Sequence, residues 1–339
     1  MKKLWLFCLL FILTHIQIFA QHYKVANKFP VAGEGGWDYL ISEPQTGRLF
    51  ISHGNVVNVI DEKTGSLLGT IPDTKGVHGI ALATDLNKGF ISNGRDSSVT
   101  IFDLKTLAAI TKVPVTGLNP DAILYDIFSH KVFAFNGRTK NVTVIDATNN
   151  KVVATIALDG KPEFAVTNEK GKIFLNIEDK NKITVINATT LKVETNWSIA
   201  PGEEASGLAI DLKNNRLFAV CDNKMMVIVD AETGKVLATP AIGEGPDAAG
   251  FDTELNRAYS SNGDGTITVI QEENPNAFKV LETIKTQKGA RTMALDNKTH
   301  HLYLSAAEYG EKPEATKENP HPRPSIKSGS FIIIDVAVN

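Results

Sequence analysis

Cysteine is nearly absent: Cys8 and Cys221 are the only two in 339 residues. Two thiols exclude a disulfide framework and a thiolate metal cluster. No sign of charge dominates. Lys and Arg total 35 against 38 Asp and Glu, a formal net charge of −3, so the overall balance draws the chain neither to phosphate backbones nor to anionic lipid. GxxxxGK[ST], HExxH, GxSxG and CxxC are all missing, as is a GxGxxG between a strand and a helix. The common phosphate-loop, zinc-protease, hydrolase and dithiol chemistries therefore have no footing here. Gly33-Glu34-Gly35-Gly36 leads into a strand pattern and reads as a turn, and Asp264 lacks the further ligands of a calcium loop.

Long hydrophobic runs are absent but for one. Lys2 and Lys3 precede an apolar stretch from Leu4 to Leu13, and Ile18-Phe19-Ala20 stands ahead of polar Gln21-His22. The stretch is shorter than the ~20 residues a membrane span needs, and the arrangement reads as a signal peptide over residues 1–20, cut near Ala20. The expected location is periplasmic or secreted, with no span in the mature chain. Cys221 is then the only thiol, expected as a buried core residue.

What is present is repetition. VNVID, VTIFD, VTVID, ITVIN, MVIVD, ITVIQ and FIIID recur, ending at Asp61, Asp103, Asp146, Asn187, Asp230, Gln271 and Asp335. Five intervals lie between 41 and 43 residues and the sixth is 64. Each repeat holds four apolar runs of about six residues rich in Val, Ile, Thr and Phe, too short for helices and bounded by turn residues. The terminal Asp of each triplet is expected to hold the following turn through its carboxylate. Four strands per period predict an all-β, seven-bladed β-propeller. The seventh repeat supplies only three strands, so the segment Tyr23–Ala32 is expected to complete it and close the ring. Residues 21–339 then form one domain.

VTVIDATNNKVVATIALDGKPEF and MVIVDAETGKVLATPAIGEGPDA resemble the YVTN-repeat β-propellers, including the periplasmic YncE-type proteins. The resemblance covers the chain from about residue 23 onward, and LFISHG, GFISNG and VFAFNG stand where the name-giving tetrapeptide falls, none of them a literal match. It implies the propeller fold. For function it implies several things, since members are described as binding scaffolds, single-stranded DNA binders, cofactor-carrying subunits and lyases.

Strand parity puts the connections between blades, and the loops between second and third strands, on one face, called the top. Aligning the entries to the inner strands brings Asp38, His78, Asp121, Glu163, Ser206, Asp247 and Arg291 to one equivalent position around the channel mouth. Such a ring suits a small ligand or cation. The second-to-third-strand loops add His53, Asn93 and Arg95, Asn136 and Arg138, and Asn262. Arg95 and Arg138 fall on adjacent blades, where they could clamp an anion or carboxylate. His53, His78 and His321 map to blades one, two and seven, which closure makes neighbours, and form a candidate metal set. Residues 306–329, with four of the 14 prolines, make a long top-face loop in blade seven, either a loose excursion or a lid or partner-binding flap.

Three functions remain open. The leading one is an extracytoplasmic, monomeric scaffold whose top face and channel engage a small molecule, peptide or protein. The second is a lyase, hydrolase or isomerase with a ring carboxylate or His as base. The third is single-stranded nucleic-acid binding, disfavoured by the acidic ring. No cofactor is named by the sequence.

Overall fold

The computed structural model describes residues 22–316, 322 and 324–338. The signal-peptide reading and His321 lie outside them. Strands follow one another with no α-helix among the described residues, apart from 3-10 turns at Thr84–Leu86 and Glu178–Lys180. They form seven four-stranded antiparallel sheets, six built from consecutive strands. The seventh joins the first strand, Tyr23–Pro30, to the last, Ile332–Val338, and through it to His301–Ala306 and Met293–Asp296. Tyr23 pairs with Val338 and Pro30 with Ile332, so the ring closes as the repeat count requires.

Burial follows from how the sheets stack. Middle strands are covered on both faces by neighbouring blades, so Lys131–Asn136 (KVFAFN) is buried at every position after Lys131. An unbroken apolar run is what such a strand needs. Outer strands have one wet face, and Lys151–Ala157 alternates accordingly. The core lies between blades: Phe133 and Phe135 of the third pack with Ile173, Leu175 and Ile177 of the fourth. Inner strands line the axis around a cavity of about 540 Å³. Its wall is apolar, with Ile41, Leu82, Ile123, Val166, Ile210 and Leu295 facing it, and it reaches the lower turns at Glu169, Thr253 and Asn297.

The turn aspartates act as expected in four blades. Asp61, Asp103, Asp146 and Asp230 each accept backbone N–H bonds from residues two or three further on, and Asn187 does the same through its amide oxygen. Asp335 departs from the pattern, because the outer strand beside it is the first strand, Tyr23–Pro30, and no hairpin turn joins the two. It accepts from Asn27 at 2.8 Å and pairs with His301 at 2.6 Å, tying the closing strand to the blade it completes. Asp146 binds Thr148 N and Oγ1 and Asn149 N. Those bonds, Thr148's hydroxyl first, hold its carboxyl below the ordinary carboxylate range. Asp146→Ala is expected to cost on the order of 1 kcal/mol, read as a fall in Tm of a few degrees. Asp146→Asn should recover most of it. An Ala variant melting with the parent would show that the turn holds itself.

Candidate functional site

Entry to the inner strands of blades one, two and five is fixed by hydrogen bonds from a second strand. Ser52 Oγ accepts from Asp38 N at 2.8 Å, Ser92 Oγ from Gly79 N at 2.8 Å, and Asn176 Nδ2 donates to Ser206 O at 2.8 Å. Rigid backbones thus aim the ring side chains at the axis. His78 Nδ1 lies 2.6 Å from Asp38 Oδ2 and 3.7 Å from Asp121 Oδ1. The three could offer one ligand atom each, all within 4.8 Å of one another. Next around the ring, Lys161 pairs with Glu163 at 3.2 Å and with Glu178, and Arg291 Nη1 sits 3.1 Å from Asp247 Oδ1.

Beneath this ring lies an aromatic floor. Tyr39 of blade one and Phe164 of blade four meet across the axis with ring centroids 5.3 Å apart. None of the ring side chains lines the apolar cavity, whereas Tyr39 and Phe164 do. The channel is therefore divided into a charged cup above and an apolar chamber below.

The electrostatics of the cup follow from crowding and limited water. Burial pushes Asp121 up to about 6; His78 opposes this and Asp38 adds to it. Burial raises Glu163 to about 7, with Asp121 reinforcing it. Asp247 also stands at about 6 through burial, offset by Arg291 and increased by Asp38 and Asp121. Burial alone would lower His78, but its bond to Asp38 and the charge of Asp121 outweigh that and raise it. The Tyr39 hydroxyl is pushed well up by burial and then by Asp121 and Asp38. Five carboxyls (Asp38, Asp121, Glu163, Glu178, Asp247) thus face Lys161, Arg291 and His78. Ser206 is not poised as a nucleophile: its hydroxyl donates to Pro246 O at 2.9 Å.

Six of the residues expected at the mouth are thus brought together: Asp38, His78, Asp121, Glu163, Asp247 and Arg291. Others are not. His53 is 1% exposed, bonded to Asn58 at 3.2 Å and packed on Phe331 with ring centroids 4.3 Å apart, and burial lowers its pKa. It is a core histidine, and the carboxylates beside His78 replace it in any cation set. Asn93, Asn136 and Asn262 are buried too. Their amides donate to Thr100, Thr143 and Thr268 in the same hairpins, so they shape loops and do not face a ligand. Arg95 and Arg138 are exposed beside a second cavity of about 320 Å³. Glu178, which the pattern puts on a top-face loop between second and third strands, joins the cup through Lys161, whereas Lys161 and Tyr39 were missed. Lys161 stands two residues before Glu163, and that spacing was the available signal.

The long loop of blade seven is anchored at its feet. Tyr309 and Ile326 form a backbone bridge, Tyr309 lies 6.1 Å from Trp37 by ring centroids, and Ile326 packs on the blade-one core. Tyr309 also contributes to the field at Arg291, which places this foot of the loop at the rim of the cup.

These features define a seven-bladed β-propeller with a polar site at one mouth of its axis. No family model matches the chain. It is similar to "Uncharacterized protein YncE" of Salmonella typhimurium, 24% identical over 291 residues, covering 81% of this chain and 80% of that protein. Among solved structures it resembles a chain of Kuenenia stuttgartiensis hydrazine synthase, with TM-score 0.71 and 15% identity over 91% of this chain and 98% of that one. The RRP9 WD40 repeats match with TM-score 0.75 and 10% identity, covering 94% and 100%. At these identities the structural likenesses show the fold alone. The sequence similarity and the seven-bladed ring together support a YncE-type propeller family.

Proposed function

We propose that the protein is an extracytoplasmic binding scaffold whose top-face cup takes a small cationic ligand, a divalent metal ion or a primary amine. The propeller fold supports a binding or interaction role in general. The observation that carries the cationic choice is the group Asp38, His78 and Asp121, joined at 2.6 and 3.7 Å within a ring whose carboxyls are raised by burial first and by mutual repulsion second. A cation entering the cup relieves that repulsion and releases protons, whereas an anion such as a nucleic-acid phosphate would add to it. The location outside the cytoplasm rests on the N-terminal signal pattern, and among the described residues no helix is long and apolar enough to cross a membrane.

Isothermal titration with MnCl2, ZnCl2 and 1,4-diaminobutane, in buffers of different ionisation heat, tests this reading. Binding of one of them should release protons and tighten from pH 5 to pH 8, as Asp121, Glu163 and Asp247 ionise. The double variant Asp121→Asn, Glu163→Gln should bind at least tenfold more weakly. Absence of binding by metals and amines alike, or binding indifferent to that double variant, sinks the proposal.

A further inference from the structure

Six of the chain's seven arginines lie among the described residues. Four have protein partners: Arg48 bonds Glu43 and Leu104 O, Arg216 bonds Asp230 and Pro275 O, Arg257 bonds Gln271 beneath the Tyr23 ring, and Arg291 pairs with Asp247. Arg95 and Arg138 differ. Among the described residues no acceptor lies within hydrogen-bond distance of either guanidinium, and the two line one cavity of about 320 Å³ between blades two and three.

The cavity is built, not accidental. Both arginines end an Asn-Gly-Arg loop whose buried Asn is locked into its own hairpin. Gly94 and Arg95 donate their N–H groups to Gly76 O at 2.9 Å and Lys75 O at 3.2 Å. Gly137 and Arg138 donate theirs to Asn119 O at 3.0 Å and Leu118 O at 3.3 Å. The Arg95 stem lies over Gly76, where a β-carbon would come within 2.5 Å of Cγ and where φ is +62°. Besides the two arginines, Gly94, Ser97, Leu118 and Asn119 complete the wall, and no carboxylate is among them. Asp96 stands nearby but bonds Ser98 Oγ at 2.7 Å and Lys112 Nζ at 3.1 Å.

We infer that this cavity binds a small organic carboxylate, held by the Arg95 and Arg138 guanidiniums with its carbon chain against Leu118. Two like charges aimed at one space without a counterion are stabilised by an anion. The planar guanidinium fork fits the two oxygens of a carboxylate. Leu118, an exposed side chain at 48%, supplies an apolar wall that an inorganic oxyanion does not use. The site does not depend on the cationic reading of the cup. The two share a partition, however: a β-carbon on Gly94 would lie 2.6 Å from His78 Nε2 and 3.0 Å from Asn119 Oδ1.

The test is an NMR or calorimetric titration of the intact mature protein with butyrate, succinate and inorganic phosphate at pH 7. Butyrate or succinate should bind, and Arg95→Ala or Arg138→Ala should each weaken binding at least tenfold without moving Tm, since both side chains are exposed. Lys at either position keeps the charge but loses the fork, and should recover only part of the affinity. The cup variant Asp121→Asn, Glu163→Gln should retain carboxylate binding, which separates the failure of one site from that of the other. No carboxylate binding, binding that survives the Arg95→Ala, Arg138→Ala double variant, or phosphate bound as tightly as butyrate would overturn the assignment.

Discussion

Removal of residues 22–32 is expected to abolish the cooperative thermal transition and drive the protein into aggregates. This segment buries Tyr23, Phe29 and Val31. The Tyr23 hydroxyl bonds that of Tyr259 in blade six at 2.5 Å, so the segment ties two blades together and also completes a sheet. Three buried side chains at roughly 1.5–3 kcal/mol each amount to a large part of the 5–15 kcal/mol by which a typical domain is stable. The truncation also bares the edge of Ile332–Val338, an apolar strand that invites pairing with other chains. Calorimetry and size-exclusion chromatography of the truncated chain decide the matter. A monomer that melts with the parent would mean that closure contributes nothing to the ring. Phe29→Ala is the milder version, expected to cost about 3–5 kcal/mol while leaving the strand in place.

Stability should also fall markedly as pH rises from 5 to 8. Burial raises Glu62 and Glu272 to about 7, and the three cup carboxyls stand at about 6 to 7. Glu62 Oε1 and Glu272 Oε2 reach no hydrogen-bond partner among the described residues, as suits protonated carboxyls. A carboxyl whose folded pKa exceeds its unfolded value contributes stability in full below the unfolded value and loses it as pH rises through the folded one. The window therefore runs from about pH 4.5 to about pH 7, at on the order of 2–3 kcal/mol for each of Glu62 and Glu272. His78 and His301, both raised, act in the same direction from pH 6.5 upward. The lowered turn aspartates, Asp61, Asp146 and Asp230, act oppositely, losing their contribution only in stronger acid. A Tm several degrees higher at pH 5 than at pH 8 is expected, and Glu62→Gln with Glu272→Gln should flatten the profile. A Tm that climbs over this range would show those carboxyls to be ionised and well solvated in the folded protein.

The propeller was readable because each blade repeats the same local problem and the chain solves it with similar residues. The ring at the channel mouth was readable for the same reason: equivalent positions in equivalent strands must share a face. What stayed hidden depends on distances that no period encodes. Tyr39 and Phe164 meet because a seven-bladed ring is narrow enough for two aromatics to span its axis. His53 looks like a top-face ligand until Phe331, far along the chain, covers it. Asn93 and Asn136 carry the same motif as the arginines beside them, yet their short amides fold back on the hairpin while the longer side chains reach out. Lys161 entered the site from a connection between blades, outside the aligned position.

The closing strand also has a mechanical meaning. Because Tyr23 lies beside Val338 and the two strands run antiparallel, a load pulling those residues apart acts across the ladder, on one pair of hydrogen bonds at a time. The join would then open like a zip, from Tyr23 toward Pro30, at a force far below that needed to slide the strands past each other. A protein pulled by its two ends would therefore yield first at this seam, and the loss of closure would then spread to the blades that depend on it.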